Sequence, residues 1–385
     1  MPGTKRHNLL LFSIVTIGTF LLAACINGLL YEGFKFIDVL TPQPSRQDFQ
    51  LSDFYESVRF NRSFSEPASS RINIIPSDTL TREDICELLQ IIKTSESKPA
   101  VIGLDLVFEE RHENDPILIE TIKELDNVVL PTIMDVTDTG LVYSKGCYFV
   151  QSDLEAFHHG AISFPSHSDL IRSFQPFFRV HGMVENCFAA SVAALYQPDC
   201  LDALKGRDNQ EEIIVFPAMD SEGISGAVHV LDDMENLPAF LKLSQGEILL
   251  IGDLHSFSDM HATPVGKQVP GVLIHAAIID MIISHNYITS APRWLCILVS
   301  FLFSCLATLL LIWSKKRLPN TGSLVFRLFQ VVVILFLGIL GTVLYVKCHY
   351  YIDNLQPILI VALSSLSFDI LNGLIGVIKH LRHET

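Results

Sequence analysis

The stretch AVIGLDLVFEE, residues 100–110, is apolar on both alternations as far as Asp105, the pattern of a strand covered on both faces. A strand of that kind needs helices on each side, and the flanking sequence offers them. Upstream, Ile72, Ile74 and Ile75 mark a short strand. Thr81 with Asp84 three residues on forms an N-terminal capping pattern, and Ile85, Leu88, Leu89 and Ile92 then recur at helical spacing. Downstream, Asp115 before Pro116 predicts a second helix start, since proline is tolerated where its missing N–H would be unpaired anyway. NVVLPTIM (127–134) supplies another strand. Strand alternating with helix predicts an α/β domain with a mixed, partly parallel sheet.

Further along, Phe174, Phe178 and Val180 suit a strand leading into ENCFAASVAALY (185–196), where Phe188, Val192 and Leu195 share one helical face. EEIIVF (211–216) and EILLIGD (247–253) read as two more buried strands, with helical potential between them near Leu237–Leu243. VPGVLIHAAIIDMII (269–283) reads as an apolar helix. There is no internal repeat.

Four apolar runs approach the roughly 20 residues that span a hydrocarbon core: Asn8–Leu30, Trp294–Trp313, Leu328–Val346 and Pro357–Ile378. The expectation is four transmembrane helices, one before the α/β domain and three after it. Short cytoplasmic loops carry excess Lys and Arg. With the N-terminus inside, the inner pieces hold Lys5, Arg6, Lys315, Lys316, Arg317, Arg327, Lys379 and Arg382 against Glu384 alone. The expected organisation is an N-terminal anchor (1–30), a stalk (31–70), an extracytoplasmic domain (71–290), a three-helix membrane region (294–378) and a cytoplasmic tail (379–385). The location this implies is the inner, cytoplasmic membrane, multi-pass, with the main domain periplasmic.

Residues 31–293 hold 39 acidic against 18 basic side chains. Such a surface repels phosphates, so nucleic acid is excluded as a partner, while a cationic or neutral small ligand or a protein stays open. Leu-Ala-Ala-Cys at 22–25 also fits a lipoprotein cleavage pattern, but Ile26, Leu29 and Leu30 keep the run apolar, which favours an uncleaved anchor. Of the eight cysteines, Cys187 and Cys200 could pair in an oxidising compartment. Cys86 and Cys187 sit on apolar helix faces, which favours buried free thiols instead.

Asp105 interrupts one apolar strand, and Asp253 closes another after Gly252. In open α/β sheets, ligands settle in the crevice at the carboxyl ends of the strands. Near Asp253 run His255, Asp259 and His261, and His275 follows on the last helix of the domain. Asp105, Arg172, Asp253, Asp259, His261 and His275 are therefore the ligand-binding candidates. An Asp at a strand end is also a common acceptor of backbone N–H groups in the next turn. No nucleophile with an evident base, phosphate-cradling glycine loop or zinc spacing is visible, so no catalytic residue, metal or cofactor is assigned. Within the last apolar run, Asp369 and Asn372 lie on a stripe of polar and small residues, and an ionisable group at that depth is the candidate for intramembrane coupling.

The order of segments resembles a known family. VIGLDLVF, DPILIETIKELDNVVLP, IRSFQPFFRVHG before ENCFAASVAALY, and ILLIGDLHSFSDMHATPVGKQVPGVLIHAAIIDMII together resemble the CHASE domain of type 2, CHASE-2, an extracellular sensory module associated with cyclases and histidine kinases. The most specific part is Gly252-Asp253, Asp259, Thr263-Pro264, Pro270-Gly271-Val272 and Ile274-His275-Ala276. The Trp-Pro-Trp-Pro-Arg block of many members is replaced by DTLTRED, keeping Arg82. The Asp-Gly before a later arginine is replaced by SDLIR, keeping Arg172. The resemblance implies a bacterial sensor or receptor, not an enzyme, of a stand-alone type with no cytoplasmic effector of its own. A separate kinase, cyclase or protease-like protein would receive its signal. The alternatives are a non-sensing structural subunit of a membrane complex and, with less support, a metal-dependent hydrolase built on Asp253, His255, Asp259, His261 and His275.

Overall fold

A computed structural model describes residues 12–22, 24–26, 51–63, 71–137, 140–164, 170–180, 182–207, 209–217 and 228–384. They fall into two compact units: Glu56–Ile288, built on a sheet, and Met1–Tyr55 with Thr289–Thr385, built from helices. The elements begin with α1 (Phe12–Ile26) and α2 (Leu51–Ser63), within which the unit boundary falls. The expected stalk thus contains a helix, and its other residues lie outside the described ones.

The sheet unit continues with β1 (Ile72–Pro76), α3 (Arg82–Thr94), β2 (Val101–Asp105), α4 (Asp115–Leu125), β3 (Val128–Thr137) and β4 (Gly140–Gly146). Then come α5 (Tyr148–Ser152), β5 (His158–Ala161), β6 (Phe177–Val180), β7 (Met183–Asn186), α6 (Phe188–Tyr196) and α7 (Cys200–Gly206). β8 (Val228–Val230), α8 (Leu237–Leu243), β9 (Ile248–Gly252), the hairpin β10 (Met260–Thr263) and β11 (Gly266–Pro270), and α9 (Gly271–Ile283) complete it.

One sheet of nine strands runs β8-β1-β9-β2-β3-β4-β6-β7, with β5 also on β3. The run from β8 to β3 is parallel, while β3–β4 and β6–β7 are antiparallel, so the sheet is mixed as the sequence predicts. Successive side chains point to opposite faces, and each face has its own cover. Ile102, Leu104, Leu249 and Ile251 join Leu88, Leu89 and Ile92 of α3, Leu118 and Ile122 of α4, and Leu241 of α8 in one core. On the other face, Gly103 lets α6 approach: a Cβ there would lie 2.5 Å from Leu250 and 3.2 Å from both Phe188 and Val192. β2 as far as Leu104 and β9 are apolar on both alternations because both faces are covered, and β1 differs only in the buried Asn73.

The Thr81–Asp84 capping box is present, each residue bonding the other's backbone N–H. Asp115 departs from expectation. It is the first residue of α4 rather than its cap, and its buried carboxylate accepts the N–H of His112, just before the helix. EEIIVF departs too, since only Glu212–Ile213 is strand, paired with Ser173–Phe174. Phe216 finds its partners elsewhere: its N–H donates to Glu56 at 2.9 Å, and its carbonyl accepts from Arg59, both on α2. Val269 and Pro270 belong to β11, so the apolar helix starts at Gly271. Cys187 and Cys200 are buried free thiols, and Cys187 accepts the Ala190 N–H at the start of α6.

In the helical unit, α10 (Arg293–Arg317) and α11 (Gly322–Cys348) are long and apolar enough to cross a membrane. α12 (Leu355–Glu384) carries a shorter apolar stretch, Leu355–Leu371, and Phe12–Ile26 is likewise shorter. The burial pattern inverts that of a water-soluble bundle. Ser300, Ser304, Thr308 and Gln330 are buried, whereas Leu302, Leu309, Val332, Leu335 and Ile339 are exposed. Polar groups find partners inside, such as Ser304 Oγ on the Thr16 carbonyl (2.8 Å) and Gln330 Nε2 on that of Val361 (2.7 Å). Apolar residues facing outward suit a hydrocarbon solvent.

Candidate ligand cleft at the strand ends

The carboxyl ends of β1, β9 and β2 lie level, with Pro76 opposite Gly252 and Gly252 opposite Asp105. Past β1, the Ser77 N–H donates to the Gly252 carbonyl and its hydroxyl to Asp253 Oδ1 at 2.5 Å. Asp78 then accepts the N–H groups of Leu254 (3.0 Å) and His255 (2.5 Å), fixing the loop after β9. Burial alone would raise the Asp78 pKa, but those bonds outweigh it and hold the carboxyl below its ordinary value.

That loop delivers Asp259 to the first turn of α9. A Cβ on Gly271 would lie 2.6 and 2.7 Å from the two carboxylate oxygens of Asp259, so only glycine leaves the carboxylate its place. Unpaired N–H groups and the helix dipole favour a negative charge there. His275, one turn along the same helix face as Gly271, is buried between Phe164, stacked on it at 5.2 Å, and Phe188, edge-on at 5.2 Å. Among the described residues its Nδ1 has no hydrogen-bond partner. Burial pushes its pKa down to about 4 against the opposing pull of Asp259, so the ring is neutral at pH 7. His261 Nε2 lies 3.3 Å from Asp259 Oδ1, and Phe164 meets the His261 ring edge-on at 5.8 Å.

Asp105 is the unusual member. Its carboxyl makes no hydrogen bond among the described residues, and burial, then the charges of Asp259 and Asp253, push its pKa up to about 8. At pH 7 it is therefore mostly protonated. Among the described residues no group of three His, Cys, Asp or Glu side chains could hold a metal ion.

Five of the six candidates, Asp105, Asp253, Asp259, His261 and His275, thus belong to one neighbourhood. Arg172 is buried nearby in the chain path, since the Ile171 N–H bonds the carbonyl of Ala262 beside His261 at 2.8 Å. His255 points outward, its side chain 81% exposed with Nδ1 3.4 Å from Asp78. Sequence reasoning missed Ser77, Asp78 and Phe164, and had Gly271 only as part of the motif that carries the family resemblance. Ser77-Asp78 directly after the first strand carried a usable signal, because short polar residues at a strand end bind the neighbouring turn. Asp369 meets Lys315 Nζ at 2.6 Å on the neighbouring helix α10. The side chain of Asn372 lies outside the described residues.

The family model of the CHASE2 domain matches residues 68–313. The chain belongs to the CHASE2 domain family. CHASE2 is a family of extracellular sensory domains rather than catalytic ones, and the matched span includes every residue of the strand-end cluster. No curated protein and no solved structure matches this CHASE2 chain.

Proposed function

We propose that this protein is a membrane-anchored extracytoplasmic sensor that binds a small ligand or a protein in the strand-end cleft and relays binding through its helices to an effector. In this reading four helices cross the inner membrane, one before the CHASE2 domain and three after it, with the N-terminus inside. The observation that carries it is the unsatisfied chemistry at the strand ends: among the described residues Asp105 and the Nδ1 of His275 have no hydrogen-bond partner, at the place where open α/β sheets bind ligands. Asp369, with Asn372 three residues on, is the proposed coupling position, because its pair with Lys315 ties α12 to α10. The effector is a separate kinase, cyclase or protease-like protein. Asp369→Leu is expected to leave the protein inserted and ligand-responsive while abolishing effector capture, and normal capture would remove Asp369 from the relay.

The experiment is thermal unfolding of the full-length protein in detergent against small amines, dicarboxylates, sugars and nucleosides. A ligand that binds only the folded state raises stability by mass action, so at least one class should raise Tm, with the rise lost in Asp259→Asn. No shift from any class, together with constant co-purification of one protein, would instead support a structural subunit.

A further inference from the structure

We propose that the strand-end cleft takes a small organic cation, an amine or ammonium compound, as its ligand. This rests on the reading of that cleft as the sensor's binding site. Two carboxylates, Asp253 and Asp259, and the protonated Asp105 lie together there, and among the described residues no Lys or Arg pairs with any of them. Asp253 is served by the Ser77 hydroxyl and Asp259 by His261, both weak neutralisers beside a full positive charge.

The nearest rival is an anion at the N-terminus of α9, the usual place for a phosphate or carboxylate. Here Asp259 itself fills that place, its oxygens seated against Gly271. An incoming anion would meet a carboxylate where it needs an amide. A metal ion is the second rival, and among the described residues no three carboxylate, imidazole or thiol side chains come together as metal ligands.

What remains is a neighbourhood that holds both acidic side chains and rings, joined where His261 meets Asp259 and Phe164. His275, 5% exposed and neutral, can offer its orphan Nδ1 as an acceptor to an ammonium N–H. Phe164 stacks beside it, and Phe257, two residues before Asp259, stands 89% exposed. Aromatic faces attract cations through their quadrupole, and this attraction does not require N–H groups, so quaternary ammonium ligands are included. A cation arriving beside Asp105 would also favour its ionised form and relieve the crowding of like charges.

The test is isothermal titration of the full-length protein in detergent with putrescine, choline, glutarate and calcium chloride. At least one of the two cations is expected to bind, about tenfold or more weakly in Asp259→Asn, with Lys93→Ala unchanged. Asp105→Asn, which keeps the shape of the protonated acid, guards against misfolding and should also weaken binding. Binding of glutarate or calcium that Asp259→Asn removes would overturn the proposal while leaving the cleft a ligand site. Failure of both cations to bind, or cation binding indifferent to Asp259→Asn and Asp105→Asn, would overturn it as well. A shift with a sugar or nucleoside in the thermal screen, without one from any amine, would sink the amine and spare the sensor.

Discussion

Asp105 and Asp115 are aspartates of the same domain, separated by a single loop, and their surroundings give them opposite chemistry. Asp115, 2% exposed, accepts from Arg82 Nη1 (2.9 Å), the Tyr148 hydroxyl (2.8 Å) and the His112 N–H (2.5 Å). Burial works against its charge, but those three donors outweigh it and keep the carboxyl below its ordinary pKa. Asp105 has burial and two neighbouring carboxylates with no donor among the described residues, and its pKa rises to about 8. A buried charge with full partners holds a fold together. One without partners is a group the fold tolerates for another reason, which is why the strand-end cleft, and not the Arg82 corner, is read as the functional site. Arg82, one of the two arginines retained where the family pattern changes, thereby has a structural role: it joins the start of α3 to α4 through Asp115 and also covers the Phe108 ring.

The comparison is broken hardest at its satisfied end. Asp115→Ala leaves the Tyr148 hydroxyl without its acceptor and Arg82 with the Glu110 carbonyl but no carboxylate, and removal of one partner from a buried pair costs about 3–5 kcal/mol. Urea unfolding followed by circular dichroism should show that loss, and a cost below about 1 kcal/mol, the worth of an exposed pair, would mean that the corner is not holding α3 to α4.

The unsatisfied end shows itself through pH. The folded pKa of Asp105 is raised, so its contribution is fully present below its unfolded value near 4 and is lost as pH rises toward about 8. The folded pKa of His275 is lowered to about 4, so its contribution is present above its unfolded value near 6.5 and is lost as pH falls. Between about pH 4 and 6.5 the two slopes oppose each other. From about 6.5 to 8 only Asp105 acts, and stability should fall by about 1.4 kcal/mol per pH unit. Asp105→Asn should flatten that limb; an unchanged slope in the variant would assign it to another group.

The smallest effect belongs to an exposed pair. Lys93 and Glu124 tie α3 to α4 at the surface, 38% and 49% exposed, and Lys93→Ala should change stability by less than about 0.5 kcal/mol. A larger loss there would show that exposure does not separate the two kinds of carboxylate.

Much of this was legible in the sequence where one local signal sufficed. The runs at β1, β2 and β9, the Thr81–Asp84 box and the helix beginning after Cys187 follow from periodicity and caps. Asp105 and Asp253 stood out because each ended an apolar strand. Illegible features depended on distant partners. Val215 and Phe216 look like strand residues, yet the backbone of Phe216 is satisfied by Glu56 and Arg59 from α2. The role of Gly271 emerges only once Asp259 is seated against it, and the orphan state of the His275 Nδ1 only once Phe164 and Phe188 enclose the ring. β4, β6 and β7 lack the two-sided apolar pattern because they lie at the antiparallel side of the sheet, where β7 leaves Met183 and Val184 exposed.

The central claim is that Asp105 stays protonated at neutral pH for want of a partner, and infrared difference spectroscopy of the full-length protein during a pH titration tests it directly. A carboxylic-acid C=O band should persist at pH 7, vanish as the pH passes about 8, and be absent from Asp105→Asn. A spectrum without that band at pH 7, or with the same band in the variant, would contradict the account.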